Sequence, residues 1–422
     1  MLARFALPLA LFSVPAIAQP APQSIPPAVQ AAADGVAEVL LGKRAAAEVF
    51  SPAFLAAVPA DKLAALTAQI AGQFGPLEGL EGVTATGPAS GVIALRFGRA
   101  IYSGPFAVDA EGKVANLLLN DYKPVGDDAA TILRDVAALP GAAGVLYAPL
   151  DGGEPLLALN ADRQLAIGST FKLFVLAALA RQVEQGKRKW DEVVKLDDLR
   201  SLPSGQMQDW PQGAPVTLQT LATMMISISD NTATDQLIRL VGRDAIAEEL
   251  RASGHSAPAR TLPFLTTREA FALKADLARG TRYAGMSEPE QTGALAALGR
   301  EFAADPATVA APTFTAPTLI DGVEWFASPD DLRKLLGRFV ALKDPTARKI
   351  LAVSPSIPPA QRKNWAFTGF KGGSEPGVIN GTWLLQKPGG QWRILTMSWN
   401  NPAAAVDQAT LELIAQRILA LP

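Results

Sequence analysis

The 422-residue chain has no cysteine and one histidine, His255. Without cysteine there can be no disulfide, thiolate metal ligand, cysteine nucleophile or lipoprotein anchor. A single histidine excludes a multi-histidine metal centre, and a Ser-His-Asp triad could be built only on His255. Neither sign of charge dominates. Lysine and arginine total 38, aspartate and glutamate 40, and the net charge is -2. No basic stripe carries interleaved aromatics, so nothing argues for nucleic-acid binding. Beyond the N-terminus no apolar run looks long enough to span a membrane. Apolar residues, by contrast, are plentiful at 49%, enough for a large core. The length suits two domains of roughly 100–200 residues each.

The first residues, "MLARFALPLALFSVPAIAQPAPQ", place Arg4 before a short apolar core and a small-x-small site ending at Ala18. This pattern predicts a cleavable signal peptide over 1–18 and a periplasmic or secreted product. Pro8 and Pro15 argue against a buried first helix. A Pro-rich tether covers 19–27. Residues 28–125 read as a small N-terminal α+β domain. Helical spacing runs from about Ala28 to Ile70. The segments "GVIALRF", "AIYSGPFAV" and "VANLLLNDY" then read as antiparallel strands joined by tight turns. "KPVGDD" (Lys123 to Asp128) is the predicted linker.

Residues 126–422 form the second predicted domain. It opens with a helix that Asp127 or Asp128 can cap, with Ile132, Val136 and Leu139 on one face. "GVLYAPLDGGEPLLAL" reads as a hairpin. Helices follow from Ser169 to Gly186, Leu218 to Ile228 and Thr232 to Leu240. Three strand candidates come late ("NWAFTGFKGG", "GVINGTWLLQ", "QWRILTMSW"), before a last helix over about Val406 to Leu421. Strands at both ends with helices between predict one sheet built from distant segments.

Within "LAIGSTFKLFVLAAL", Lys172 is the only charged residue between Ser169 and Arg181. On a helix, positions i and i+3 are neighbours, so Ser169 and Lys172 present their side chains to one place. Ser169 follows Gly168 at the helix start, where free N–H groups and the dipole favour a developing negative charge. Apolar surroundings disfavour the charged amine, and a neutral amine can take a serine proton. Ser-x-x-Lys alone is a weak signal, and a lysine reaching out to water explains it equally well. Two further motifs decide. Ser229-Asp230-Asn231 lies at a break between helices, where it could be only a cap. Lys371 ends a strand before a Gly-rich turn. The order Ser-x-x-Lys, Ser-Asp-Asn, Lys-x-Gly is the signature of penicillin-recognising serine enzymes.

On these residues the second domain resembles class A β-lactamases and the wider β-lactamase-like serine hydrolases. The resemblance implies a five-stranded antiparallel sheet covered by helices, beside an all-helical subdomain. The site would lie between them. It implies Ser169 as nucleophile, Lys172 as its proton partner and Ser229 as relay to the leaving group. Asn231 would bind the substrate amide, and Lys371 would face a substrate carboxylate. Gly373 completes the Lys-x-Gly motif at the substrate-binding edge, and the N–H groups of Ser169 and Ser374 would form the oxyanion hole. It implies no cofactor or metal, and a small-molecule acyl substrate as partner. "PFLTTREAFALK" and "VEWFASPDDL" resemble a narrower two-domain branch associated with clavam biosynthesis clusters. In that branch a steroid-isomerase-like, nuclear-transport-factor-like domain comes first.

Three departures qualify the resemblance. The loop motif that supplies a deacylating glutamate is absent; Glu269 is displaced from it, and Glu288 in "SEPEQTG" is a more distant imitation. The usual Lys-Thr-Gly is Lys371-Gly372-Gly373, so a threonine hydroxyl is missing and Ser374 is the only nearby substitute. The span from Ser229 to Lys371 is long, 142 residues, which predicts an insertion between about Phe271 and Thr318. The expectation is an exported serine hydrolase that acylates faster than it deacylates. An esterase or D-alanyl carboxypeptidase-like enzyme on the same residues is one alternative, and a non-catalytic binding or sensory protein another. His255, in a loop after Gly254, is expected to cap or to face water.

Overall fold

A computed structural model describes residues 25–305 and 315–421. The predicted signal segment lies outside the described residues, as does part of the Pro-rich loop after Asp305. The chain divides into two compact units between Tyr122 and Lys123.

In the first unit, helices α1 (Pro27–Leu40), α2 (Ala46–Val49), α3 (Pro52–Ala57) and α4 (Ala60–Phe74) precede an antiparallel sheet. Its strands are β1 (Leu77–Gly87), β2 (Ser90–Phe97), β3 (Ala100–Val108), β4 (Val114–Leu117) and β5 (Asp121–Pro124), which pairs with β3. Strand β2 alternates strictly, burying Ile93, Leu95 and Phe97, as a sheet with one covered face requires. Helix α1 packs across β1, β2 and β3 with Val29, Ala33 and Val36 buried. Strand β1 goes beyond the sequence expectation. Its residues "LEGLEGVTATG" are nowhere fully buried, and three register shifts break its pairing with β2. Without alternation it gives no period-2 signal.

The second unit opens with α5 (Ala129–Ala137). Asp128 is the cap, accepting from the Thr131 N–H. Asp127 instead binds Arg417 at 2.7 Å, with both side chains buried. Strands β6 (Ala142–Pro149) and β7 (Leu157–Leu159) follow, then the short β8 (Leu165–Ala166), β9 (Val193–Lys195) and β10 (Pro215–Thr217). The helices between are α6 (Lys172–Glu184), α7 (Leu218–Ser227), α8 (Asn231–Val241), α9 (Arg243–Ala252), α10 (Thr267–Ala275), α11 (Leu277–Ala284) and α12 (Glu288–Ala304). After β11 (Phe326–Ala327) come α13 (Pro329–Ala341), α14 (Thr346–Leu351) and α15 (Pro359–Arg362). The chain closes with β12 (Phe367–Glu375), β13 (Val378–Gln386), β14 (Trp392–Asn400) and α16 (Gln408–Leu419).

One antiparallel sheet of order β12-β13-β14-β6-β7 joins the beginning of this unit to its end, as the distant strand candidates predict. One core cluster holds Ile132 and Val136 of α5 with Leu411, Ile414 and Ile418 of α16 over Leu385, Leu395 and Met397. The other unites Leu384 and Ile394 with the helical part. At its centre runs α6, with every residue from Lys172 to Ala180 buried. A helix buried on all sides must be apolar all round, which explains the unbroken run after Lys172. Helices α11 and α12 occupy the predicted insertion, and α12 starts in a capping box between Ser287 and Glu290. Glu288 is exposed in its first turn. The imitation motif is thus a helix start.

Candidate active site

Ser169 sits in a 3-10 turn, Gly168–Phe171, that runs directly into α6. The turn is braced from below and from the side. The Thr170 hydroxyl donates to Asn380 Oδ1 at 2.8 Å, and Asn380 Nδ2 donates to Ser398 Oγ at 2.7 Å. The Ile167 N–H donates to the Trp325 carbonyl at 3.0 Å, and the Trp325 ring stacks on Phe171 at 3.8 Å. Ser169 is half-buried, and its hydroxyl makes no hydrogen bond to a described residue. It faces a cleft of about 280 Å³ lined also by Ser204, Ser229, Asn231, Gly373 and Ser374, with Phe271, Phe370 and Trp383 as aromatic walls.

Lys172 is fully buried. Its Nζ lies 2.6 Å from the Ser229 carbonyl, 2.7 Å from Asn231 Oδ1 and 3.0 Å from Ser229 Oγ. Burial, and secondarily the Lys371 charge, hold its pKa well below that of a free lysine, against the opposing pull of Asp235 and Asp230. A neutral amine has two hydrogens and one lone pair. The two carbonyl oxygens take the hydrogens, and the lone pair is left for a hydroxyl. Lys371, also buried, reaches the same Ser229 Oγ from the other side at 3.1 Å and donates to the Gly372 carbonyl. Burial lowers its pKa to about 7. One hydroxyl therefore stands between two amines whose charges are weakly held.

Ser229 has φ +60, a left-handed backbone that a side chain disfavours. Its neighbour fixes it there. Asp230 caps α8 by accepting from Ala233 N–H, and its other oxygen accepts from Gln206 and Met207 N–H. The Ser204 hydroxyl donates to the Ser229 carbonyl at 2.9 Å. Neither Ser204 nor Asn380 is marked by any local sequence signal. Each becomes visible only once the chain has brought distant segments together.

The edge strand β12 closes the cleft. A Cβ on Gly373 would come within 2.2 Å of the Ile167 carbonyl oxygen, 2.4 Å of Ser169 N and 2.7 Å of Thr170 N. A Cβ on Gly168 would stand 3.1 Å from Ser374 N. The strand thus lies directly on the Ser169 turn, bringing the Ser169 and Ser374 amides to one place. Two backbone donors so arranged can hold an oxyanion.

The structure brings Ser169, Ser229, Asn231, Gly373 and Ser374 into one cleft, and Lys172 and Lys371 to Ser229 at its floor. It does not bring Glu269 there. That carboxylate pairs with Arg243 at 2.6 Å and accepts from the Thr266 N–H at 2.8 Å, completing the capping box of α10. Among the cleft-lining residues the carboxylate is Glu412 of α16, exposed and hydrogen-bonded to Gln408. His255 is buried, against the expectation that it faces water. Its Nδ1 accepts from the Ala257 N–H at 3.1 Å, which leaves Nε2 to donate to the Phe326 carbonyl at 2.8 Å. Asp331 lies 3.8 Å away, and burial still lowers the imidazole pKa. It is a core histidine bracing β11. Among the described residues no group of His, Cys, Asp and Glu could hold a metal ion.

Sheet, helices and cleft define a mixed α/β fold whose second unit is β-lactamase-like. In agreement, residues 128–300 match the model of the beta-lactamase enzyme family. No curated protein matches the chain. Among solved structures, a β-lactamase from Sphaerobacter thermophilus is 23% identical, over 69% of this chain and 93% of that one, with a TM-score of 0.47. PBP-A is 19% identical over 69% and 94%, with a TM-score of 0.48. A β-lactamase from Desulfarculus baarsii is 17% identical over 70% and 98%, with a TM-score of 0.48.

Proposed function

We propose that the protein is an exported serine hydrolase that forms an acyl-enzyme on Ser169 with β-lactams or related amides and esters. The observation that carries this reading is the pair of buried, weakly charged lysines converging on Ser229 Oγ beside Ser169. Ser169 Oγ attacks the carbonyl carbon while its proton passes to the Lys172 amine. The Ser169 and Ser374 N–H groups hold the oxyanion. As the carbon–nitrogen or carbon–oxygen bond breaks, the leaving atom takes a proton from Ser229 Oγ–H, which the lysines resupply. Asn231 orients the amine, and charged Lys371 attracts an anionic substrate. Export is supported by the Arg4-led apolar segment and its Ala-Ile-Ala site. The two-unit order supports kinship with the two-domain branch from clavam clusters.

Hydrolysis of the acyl-enzyme is slow, since Glu269 is committed to Arg243 and Glu412 is the carboxylate of the cleft lining. Gly372 in place of threonine favours a second reading, an esterase that depends less on a substrate carboxylate. Intact-protein mass spectrometry with penicillins, cephalosporins and a fluorophosphonate separates these. A lactam adduct on Ser169 supports the first reading. A fluorophosphonate adduct alone supports the second, and no adduct with any probe rejects both.

A further inference from the structure

Beside the cleft, and unused by the mechanism above, lies a buried cluster of one ammonium and two carboxyl groups. Lys274 of α10 is 2.6 Å from Glu324 and also binds Glu375. The three side chains are 1%, 2% and 13% exposed, respectively. Each comes from a segment that reaches the site. Helix α10 carries Phe271 to the cleft wall. Glu324 accepts from the Trp325 N–H at 3.2 Å, and Trp325 braces both Ile167 and Phe171 around the nucleophile. Glu375 follows Ser374 at the end of β12. We propose that Lys274, Glu324 and Glu375 form a latch that holds the Ser374 end of β12 on the nucleophile's turn, with one proton retained between the two carboxyls. They are positioning residues.

The chemistry follows from counting charges. One buried ammonium balances one carboxylate, so the second carboxyl is retained as the neutral acid and donates to the first. The charged groups facing Glu375 are Lys274 from α10 and Glu324 from the segment before β11. Burial, then the Glu324 charge, push Glu375 up to about 9. Above that pH its proton leaves to solvent, two carboxylates compete for one ammonium, and Glu375, the most exposed of the three, is the one released.

The latch serves acylation only if the proposed function holds, so the test reads the two separately. Hydrogen exchange of the amides over residues 372–375, in the full chain from pH 7 to 10.5 and normalised to the β13–β14 ladder, reads the latch without substrate. Fluorophosphonate labelling of Ser169 reads its service to catalysis. The wild type is expected to exchange about tenfold faster at 372–375 above pH 9 than the ladder predicts. Glu375→Gln, which keeps the neutral donor, stays slow throughout and labels normally at pH 7. Lys274→Met exchanges about tenfold faster already at pH 7 and labels about 10–100-fold more slowly. Superimposable wild-type and Glu375→Gln exchange profiles to pH 10.5 refute the latch, and so does a folded Lys274→Met with unchanged exchange. If Lys274→Met does not fold, the Glu375→Gln profile decides. A wild type that shows the exchange pattern without labelling supports the latch and rejects the acyl-enzyme reading.

Discussion

Gly373→Ala is the sharpest test of how the cleft is built. The added methyl would meet three backbone atoms, at 2.2, 2.4 and 2.7 Å. Backbone cannot rotate away as a side-chain tip can. The strand or the turn must move, by ~1 Å to restore ordinary contact. Overpacking of this kind costs ~1–3 kcal/mol of stability. The kinetic cost is larger, because the displaced strand carries the Ser374 N–H. Loss of one oxyanion donor is worth about 10²–10³ in rate. Gly372→Thr is the matched comparison. Its Cβ would approach the Phe370 ring edge at 2.8 Å, a flexible neighbour that can yield, so acylation should persist. Gly337→Ala, in open space on α13, should add ~0.5–1 kcal/mol by helix propensity alone. Urea unfolding gives the stabilities and stopped-flow acylation gives the rates. If Gly373→Ala acylates within threefold of wild type (~0.7 kcal/mol of barrier), the strand is not the oxyanion wall and the reasoning fails.

Three further outcomes follow from the same contacts. Lys172→Ala should stop acylation while the chain still folds; Asn231 Oδ1 loses its amine and the Ser229 carbonyl keeps Ser204, so urea unfolding should show a loss of ~1–3 kcal/mol. Between the folded pKa of Lys371 of about 7 and the ordinary lysine value, the unfolded chain binds the extra proton, so stability should rise with pH across that window. This rise should shrink in Lys371→Met, and kcat/KM for an anionic penicillin, but not for a neutral ester, should fall above about pH 7 in the wild type. Glu269→Gln should lower stability by ~1–2 kcal/mol, a modest loss because Arg243 is about a third exposed, and mass spectrometry should find the acyl-enzyme lifetime unchanged.

The parts of this site legible in the sequence are those whose chemistry sits in short patterns. Ser169 and Lys172 share a turn and Ser229 and Asn231 share a helix start, whereas Lys371, expected to end a strand, lies in the middle of β12, which runs on through Gly372 and Gly373 to Glu375. The sheet was legible because β12, β13 and β14 fall in short segments rich in apolar and aromatic residues near the chain end, and β6 is an apolar run near the start of the second unit. What holds the pattern in place was not legible. Thr170 and Asn380 are 210 residues apart, and Lys274 and Glu375 are 101 apart. Such pairs carry no periodicity and no local composition. His255 misled for a related reason. A histidine after a helix-ending glycine reads as surface, yet Asp331 and the Phe326 carbonyl arrive from the far side of the insertion and enclose it.

Ser-Asp-Asn shows why a modest local reading and a catalytic one need not compete. Asp230 is a helix cap, as its type and position suggest. A cap with one oxygen on Ala233 N–H has the other free, and that oxygen fastens the Gln206–Met207 backbone across the cleft floor. The residue before the cap is then held at φ +60, a conformation costing on the order of 1–3 kcal/mol that persists only when its surroundings over-determine it. That conformation places Ser229 Oγ within 3.1 Å of both lysine amines. Asp230→Ala should therefore act at a distance from any chemistry. It should cost ~1–2 kcal/mol as a lost cap, and it should also slow acylation, because Ser229 relaxes to an ordinary backbone and leaves the two amines without their common hydroxyl. A variant that loses the stability and keeps the rate would show that the serine holds its place without the cap.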